Sequence, residues 1–199
     1  LGVSVASRYV ARSDLPLEER LRFLELLLKV DMGPRTALIL IIPVGFMLAT
    51  TLGIAEFARA WLPLIWVAAF AWLALAWYLY RHARDPRSAR WARLDQGLRI
   101  AVIASFLAIG IASLATGGPL GTAWLAGKFV LFAGVVTLGL MLRIVIRDWV
   151  TGFAQLRFEA TRDAGNARIF AAHQRAKRLA HLLWAGVAAV AFLGVVKPA

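Results

Sequence analysis

Residues 121–148 read GTAWLAGKFVLFAGVVTLGLMLRIVIRD, and between the opening glycine and Arg143 the sole charged side chain is Lys128. A helix rises about 1.5 Å per residue, so about 20 apolar residues cross the hydrocarbon core of a bilayer. A run of this length without an acid is a membrane span in prospect. Its lysine has to be accounted for rather than assigned to a wet surface.

The rest of the chain repeats the pattern. Of 199 residues, 61% are hydrophobic and 17% charged, and the mean hydropathy is +0.71. Soluble domains carry roughly 25% charged residues. Repeated apolar runs separated by charged segments predict an all-α, polytopic transmembrane helical bundle with spans at 36–57, 61–80, 100–116, 121–146 and 179–196. Before the first span, residues 13–30 predict an amphipathic surface helix. Ser13 stands at its N-cap, and Leu17, Leu21, Leu24 and Leu28 recur at spacings of three and four. Met32-Gly33-Pro34 is expected to break it, and Pro43 to kink the first span. Asp85-Pro86 reads as a turn followed by a short surface helix. Gly152, Gly165 and Asn166 are expected breaks between the last two spans, and residues 167–178 read as a helix able to run on into the last one. The turn Thr116 to Gly121 is short enough only for antiparallel neighbours, a membrane hairpin. Ser113 with Gly117, or Ala104 with Ala108, has the small-residue spacing that lets helices approach, as does Ala185 with Ala189. Gly186 and Gly194 are two such steps apart, with Val190 between. The opening LGVSVA is either the inner end of a helix preceding Leu1, which would make six spans, or a frayed end.

The net charge is +12. Residues 81–99 carry six Arg against two Asp, net +4, and residues 143–178 eight basic against three acidic side chains, net +5. The segment before the first span is net +1. The alternate side holds Glu56 with Arg59, the neutral 117–122 turn and Lys197. Five spans place every basic segment on one side, which the positive-inside rule makes cytoplasmic. Residue 1 is then cytoplasmic and the C-terminus periplasmic. The basic segments 81–99 and 147–178 face the anionic inner leaflet of the lipid bilayer. Nucleic-acid binding would need a groove or stacking platform; here the charge sits in loops, and no nucleic-acid partner is expected.

Cysteine is absent, which excludes disulfides and thiolate metal sites. Lys128 lies about 10 Å from the outer end of its span at the helical rise. It snorkels, or it is a buried cation facing a cavity, a substrate or an acid, with Glu56 as the candidate partner, or it packs against a partner subunit. The haem or metal candidates are His82, His173 and His181. On one continuous helix His173 and His181 would stand about 12 Å apart and about 80° apart in direction, too far to share one ion. Haem b would need a histidine from another helix. Motifs for zinc peptidases, phosphate-binding loops or serine–histidine chemistry are missing, so no catalytic residue is expected.

The segment GKFVLFAGVVTLGLMLR, residues 127–143, has a lysine near one end and a basic residue at the other. With the helix from His181 to Gly194 after a basic segment, it resembles the CopD-like group of small bacterial polytopic membrane proteins. The resemblance implies a multi-helix bundle of the bacterial inner membrane and a role in copper transfer, with Lys128 and His181 lining the route. The sequence departs from that role in lacking an external His or Met cluster to collect copper: Met47 falls inside the first span, and Met32 and Met141 near the inner side. The expectation is therefore a non-catalytic accessory or structural subunit of a membrane complex, without a cofactor. The alternatives are a CopD-like permease for copper or another small solute, and a membrane b-haem protein.

Overall fold

The computed structural model describes residues 2–83, 85–118 and 120–197. Leu1, Arg84, Pro119, Pro198 and Ala199, which enter the sequence expectations, lie outside them. The described residues form α1 (Gly2–Ala11), α2 (Leu17–Thr51), α3 (Leu62–Arg81), α4 (Ala89–Thr116), α5 (Ala123–Gln155) and α6 (Arg162–Val196), with short 3-10 turns before α3, α4 and α6. Strands are absent among the described residues. Five helices, α2 to α6, are long and apolar enough to cross a membrane. The all-α multi-span class read from the sequence is the one observed.

The helices are longer than the spans within them. At 35 residues, α2 and α6 exceed the length a hydrocarbon core of about 30 Å needs. The break expected at Met32-Gly33-Pro34 is absent, and α2 runs through Pro34 and Pro43. A proline inside a helix removes one hydrogen bond and crowds the carbonyl four residues back. Interrupting the helix would instead leave several backbone groups unpaired at each new end, beside an apolar run. The segment 81–99 is likewise mostly helix, because α4 starts at Ala89 and continues without a break. Its start is set by Asp85, whose carboxylate accepts a hydrogen bond from the Arg87 backbone N–H at 2.8 Å.

Two compact units are distinguished, Leu1–Asp31 with Phe106–Ala199, and Met32–Ser105. In the first, α5 and α6 pack antiparallel along their length. Gly152 and Gly165, expected as breaks, lie inside helices at their crossing, as does Asn166 inside α6. A methyl on Gly165 would stand 2.9 Å from the Gly152 carbonyl oxygen, and one on Gly152 would stand 2.6 Å from Ile169 Cγ1. These glycines permit backbone contact rather than end a helix. The chain turns instead between Leu156 and Thr161, where the Thr161 hydroxyl donates to the Gln155 carbonyl at 2.8 Å. Further along, Gly186 faces Val135, and Gly194 faces Lys128. Val190, between those glycines, is buried on the same face. The expected contact residue Ala185 is exposed.

The end of α4 returns against α5 as the expected hairpin. Gly117 and Gly121, at φ +68° and +65°, make the turn. Phe106 stacks on Phe129 at 4.6 Å between centroids. The close approach is made by Gly110, where a methyl would stand 2.8 Å from Val130 Cγ2. Ala104 and Ala108 are exposed; they share a helix face with each other, but not the face toward α5. At the other end of this unit, Val10, Leu27, Trp149, Phe153, Ile169 and Ala172 form a core joining α1, α2, α5 and α6. In the second unit, Ile39 of α2 packs with Ala69 and Ala76 of α3.

Candidate functional site

Charged residues inside a largely apolar chain are costly unless paired, so each placement constrains function. Lys128 is half-buried on α5. Its Nζ lies 2.7 Å from where a methyl on Gly194 would be. Gly194 belongs to the last turn of α6, the carbonyl end of the helix, which carries partial negative charge. The absence of a side chain at Gly194 thus lets an ammonium rest over a helix terminus. Glu56, the candidate acid for Lys128, is instead exposed and 3.8 Å from Arg59. This is the solvated turn, not a buried carboxylate.

Sequence reasoning missed a buried polar group in the second unit. Asp95 on α4 is 0% exposed. It accepts from Trp72 Nε1 of α3 at 2.8 Å and from Arg99 Nε and Nη2 at 3.3 Å each. The Arg99 guanidinium also lies 5.5 Å from the Trp72 ring centroid, a favourable cation–π distance. The available signal was the four-residue spacing of Asp95 and Arg99, next to an apolar run. In the sequence both stand as charges of the basic segment 81–99.

Arg20 on α2 was missed in the same way. It is 3% exposed, donates to the Val10 carbonyl at 3.0 Å and to Asn166 Oδ1 at 2.9 Å, and lies over Phe153. It joins four helices of one unit. Burial holds the guanidinium below its ordinary pKa, with the Asp14 charge opposing; it remains protonated.

The histidines separate. His82 ends α3, its Nδ1 3.0 Å from the Tyr78 carbonyl and its ring stacked on Tyr78. His173 and His181 line one cleft of about 230 Å³ in the first unit, together with Ser7, Arg8, Asp31 and Lys177. Its apolar wall includes Val145, Ile146, Trp149 and Trp184. His173 Nδ1 is buried and without a hydrogen-bond partner among the described residues. Burial pushes the imidazole below its ordinary pKa, and the charges of Lys177 and Arg8 push it the same way. Among the described residues no three His, Asp or Glu side chains converge as metal ligands. Small-molecule pockets commonly enclose about 300–1,000 Å³, so this cleft suits a compact polar group better than a macrocycle.

Comparison of the chain with protein-family models, with curated proteins and with solved structures finds no match.

Proposed function

We propose that the chain is a non-catalytic integral membrane protein of the bacterial inner membrane, an accessory subunit that contributes helix-packing surface to a larger complex. The observation that carries this reading is the use of its intramembrane cation. Lys128 rests over the Gly194 end of α6, where it ties two of the protein's own helices together. The buried Asp95–Arg99 pair, joined to Trp72, has the same character. Polar groups used as internal fasteners suit a structural subunit. The orientation follows from the charge count, with the net +4 and net +5 segments cytoplasmic and the C-terminus periplasmic.

Extraction of the tagged chain in its native lipid, followed by mass analysis of the intact assembly, tests the reading. Stoichiometric protein partners are expected. A lone monomer both in native-lipid discs and in mild detergent would remove the accessory role. The same preparation discriminates the other readings: bound copper with Lys128-dependent uptake would favour the CopD-like permease, and a Soret band the b-haem protein.

A further inference from the structure

The basic cleft between α1, α2, α5 and α6 is unused by the accessory role, and its chemistry is specific. We infer that it binds a phosphodiester anion, the headgroup phosphate of a membrane phospholipid. This rests on the membrane placement above but not on the accessory role.

Charge is the first argument. Arg8, Lys177 and Asp31 all line the cleft, leaving one net positive charge before the imidazoles of His173 and His181 are counted. A phosphodiester carries one negative charge. The second argument is the buried Nδ1 of His173, which has no hydrogen-bond partner among the described residues. An unsatisfied buried polar atom is costly, and a phosphate oxygen would accept a hydrogen bond from an Nδ1–H there. An anion would also reverse the electrostatic pressure from Lys177 and Arg8 that now disfavours imidazolium.

Position selects the source of the phosphate. The lining residues straddle the ends of two apolar runs. Val145 and Ile146 close the run 121–146, and Trp149 lies just beyond it. His173 and Lys177 precede the run 179–196, and His181 and Trp184 open it. The cleft thus combines basic side chains with an apolar lining that includes Trp149 and Trp184. An amphiphile with an anionic head needs that arrangement, and a free anion does not.

The test is lipid titration of the purified full-length chain, followed by native mass spectrometry, with phosphatidylglycerol against phosphatidylcholine. Two basic residues at the anionic headgroup should give a preference of about tenfold or more. Arg8→Gln with Lys177→Gln should abolish that preference. Arg157→Gln with Arg162→Gln, an equal charge loss at exposed positions outside the cleft, should keep it. An unaltered preference in the cleft variant overturns the proposal. Independently of any variant, the nitrogen spectrum of His173 in the unmodified protein should show its imidazole titrating at higher pH when phosphatidylglycerol is added. Unchanged titration also overturns the proposal. In a parallel arm, inorganic phosphate replaces lipid. A thermal shift with inorganic phosphate, lost in the cleft variant and unaccompanied by lipid preference, would assign the same phosphate chemistry to a soluble anion and overturn the lipid source. Loss of protein partners leaves every one of these readouts in place.

Discussion

Asp95 shows how much one residue can matter in this chain. Its carboxylate is fully buried and holds both Trp72 and Arg99. Removing one partner of a buried ion pair costs about 3–5 kcal/mol, because the other charge is left uncompensated. Asp95→Ala should therefore destabilise the detergent-solubilised protein by about that amount in equilibrium unfolding. Asp95→Ala combined with Arg99→Ala should lose less than the sum of the single changes. Strict additivity would mean that the pair does not couple. The four-residue spacing was legible in the sequence and places both side chains on one helix face. Which faces are buried depends on a neighbouring helix, and the charge count registered only arginines in excess. His173 supports a second prediction. Its imidazole is held below its ordinary pKa by burial and by Lys177 and Arg8; Asp31 and His181 also line its cleft. Between the lowered folded value and the unfolded value near 6.5, the unfolded chain binds more protons. The stability contributed by neutral His173 is therefore complete above about pH 6.5 and is lost as pH falls toward the folded value. Melting curves from pH 7.5 to pH 5 should fall more steeply for the unmodified protein than for His173→Gln. Parallel slopes would show that His173 does not contribute to the acid sensitivity.

At the scale of the element, glycine has two opposite uses in α5 and α6, and sequence alone assigns them poorly. Glycine is a poor helix former in isolation, which made Gly152 and Gly165 look like breaks. Both are helical because each brings its backbone against the other helix. Gly134, on the same helix α5, has open space where a methyl would sit. The two environments predict opposite signs. Gly165→Ala forces a methyl to 2.9 Å from the Gly152 carbonyl oxygen and should destabilise by about 1–3 kcal/mol, as overpacking does. Gly134→Ala meets no neighbour and should stabilise by about 0.5–1 kcal/mol through helix propensity. Thermal unfolding of both variants in one detergent decides this; stabilisation by Gly165→Ala would mean that the crossing tolerates separation, and destabilisation by Gly134→Ala that a neighbour covers that face. The positions of the apolar runs were readable from composition because span length is set by the bilayer. The helix ends were not: α4 and α5 extend through charged segments whose helicity no hydrophobic period reports, and α2 carries the amphipathic stretch into the span through Met32-Gly33-Pro34.

At the scale of the whole molecule, the charge distribution is the property that fixes how the chain would lie in a membrane. Each helix alone can be inserted either way. The net +4 of residues 81–99 and net +5 of residues 143–178 bias them together, because translocating clustered Arg and Lys in short loops is disfavoured. The Glu56–Arg59 turn is paired and exposed, and the 117–122 turn is neutral, so neither opposes that bias. The absence of cysteine makes this directly measurable, since any introduced thiol is the sole one. Single cysteines at Arg90 and Arg157 mark the two basic segments, and at Arg59 and Thr122 the two turns expected on the opposite side; all four positions are exposed. In intact cells with a permeabilised outer membrane, an impermeant maleimide should label Arg59→Cys and Thr122→Cys. It should reach Arg90→Cys and Arg157→Cys only after the inner membrane is opened. The reverse pattern would invert the orientation and place the basic cleft at the outer leaflet. Labelling of one basic segment without the other would break the five-span path itself, because with three of the spans fixed in sequence the two segments can face opposite sides only if α4 or α5 fails to cross.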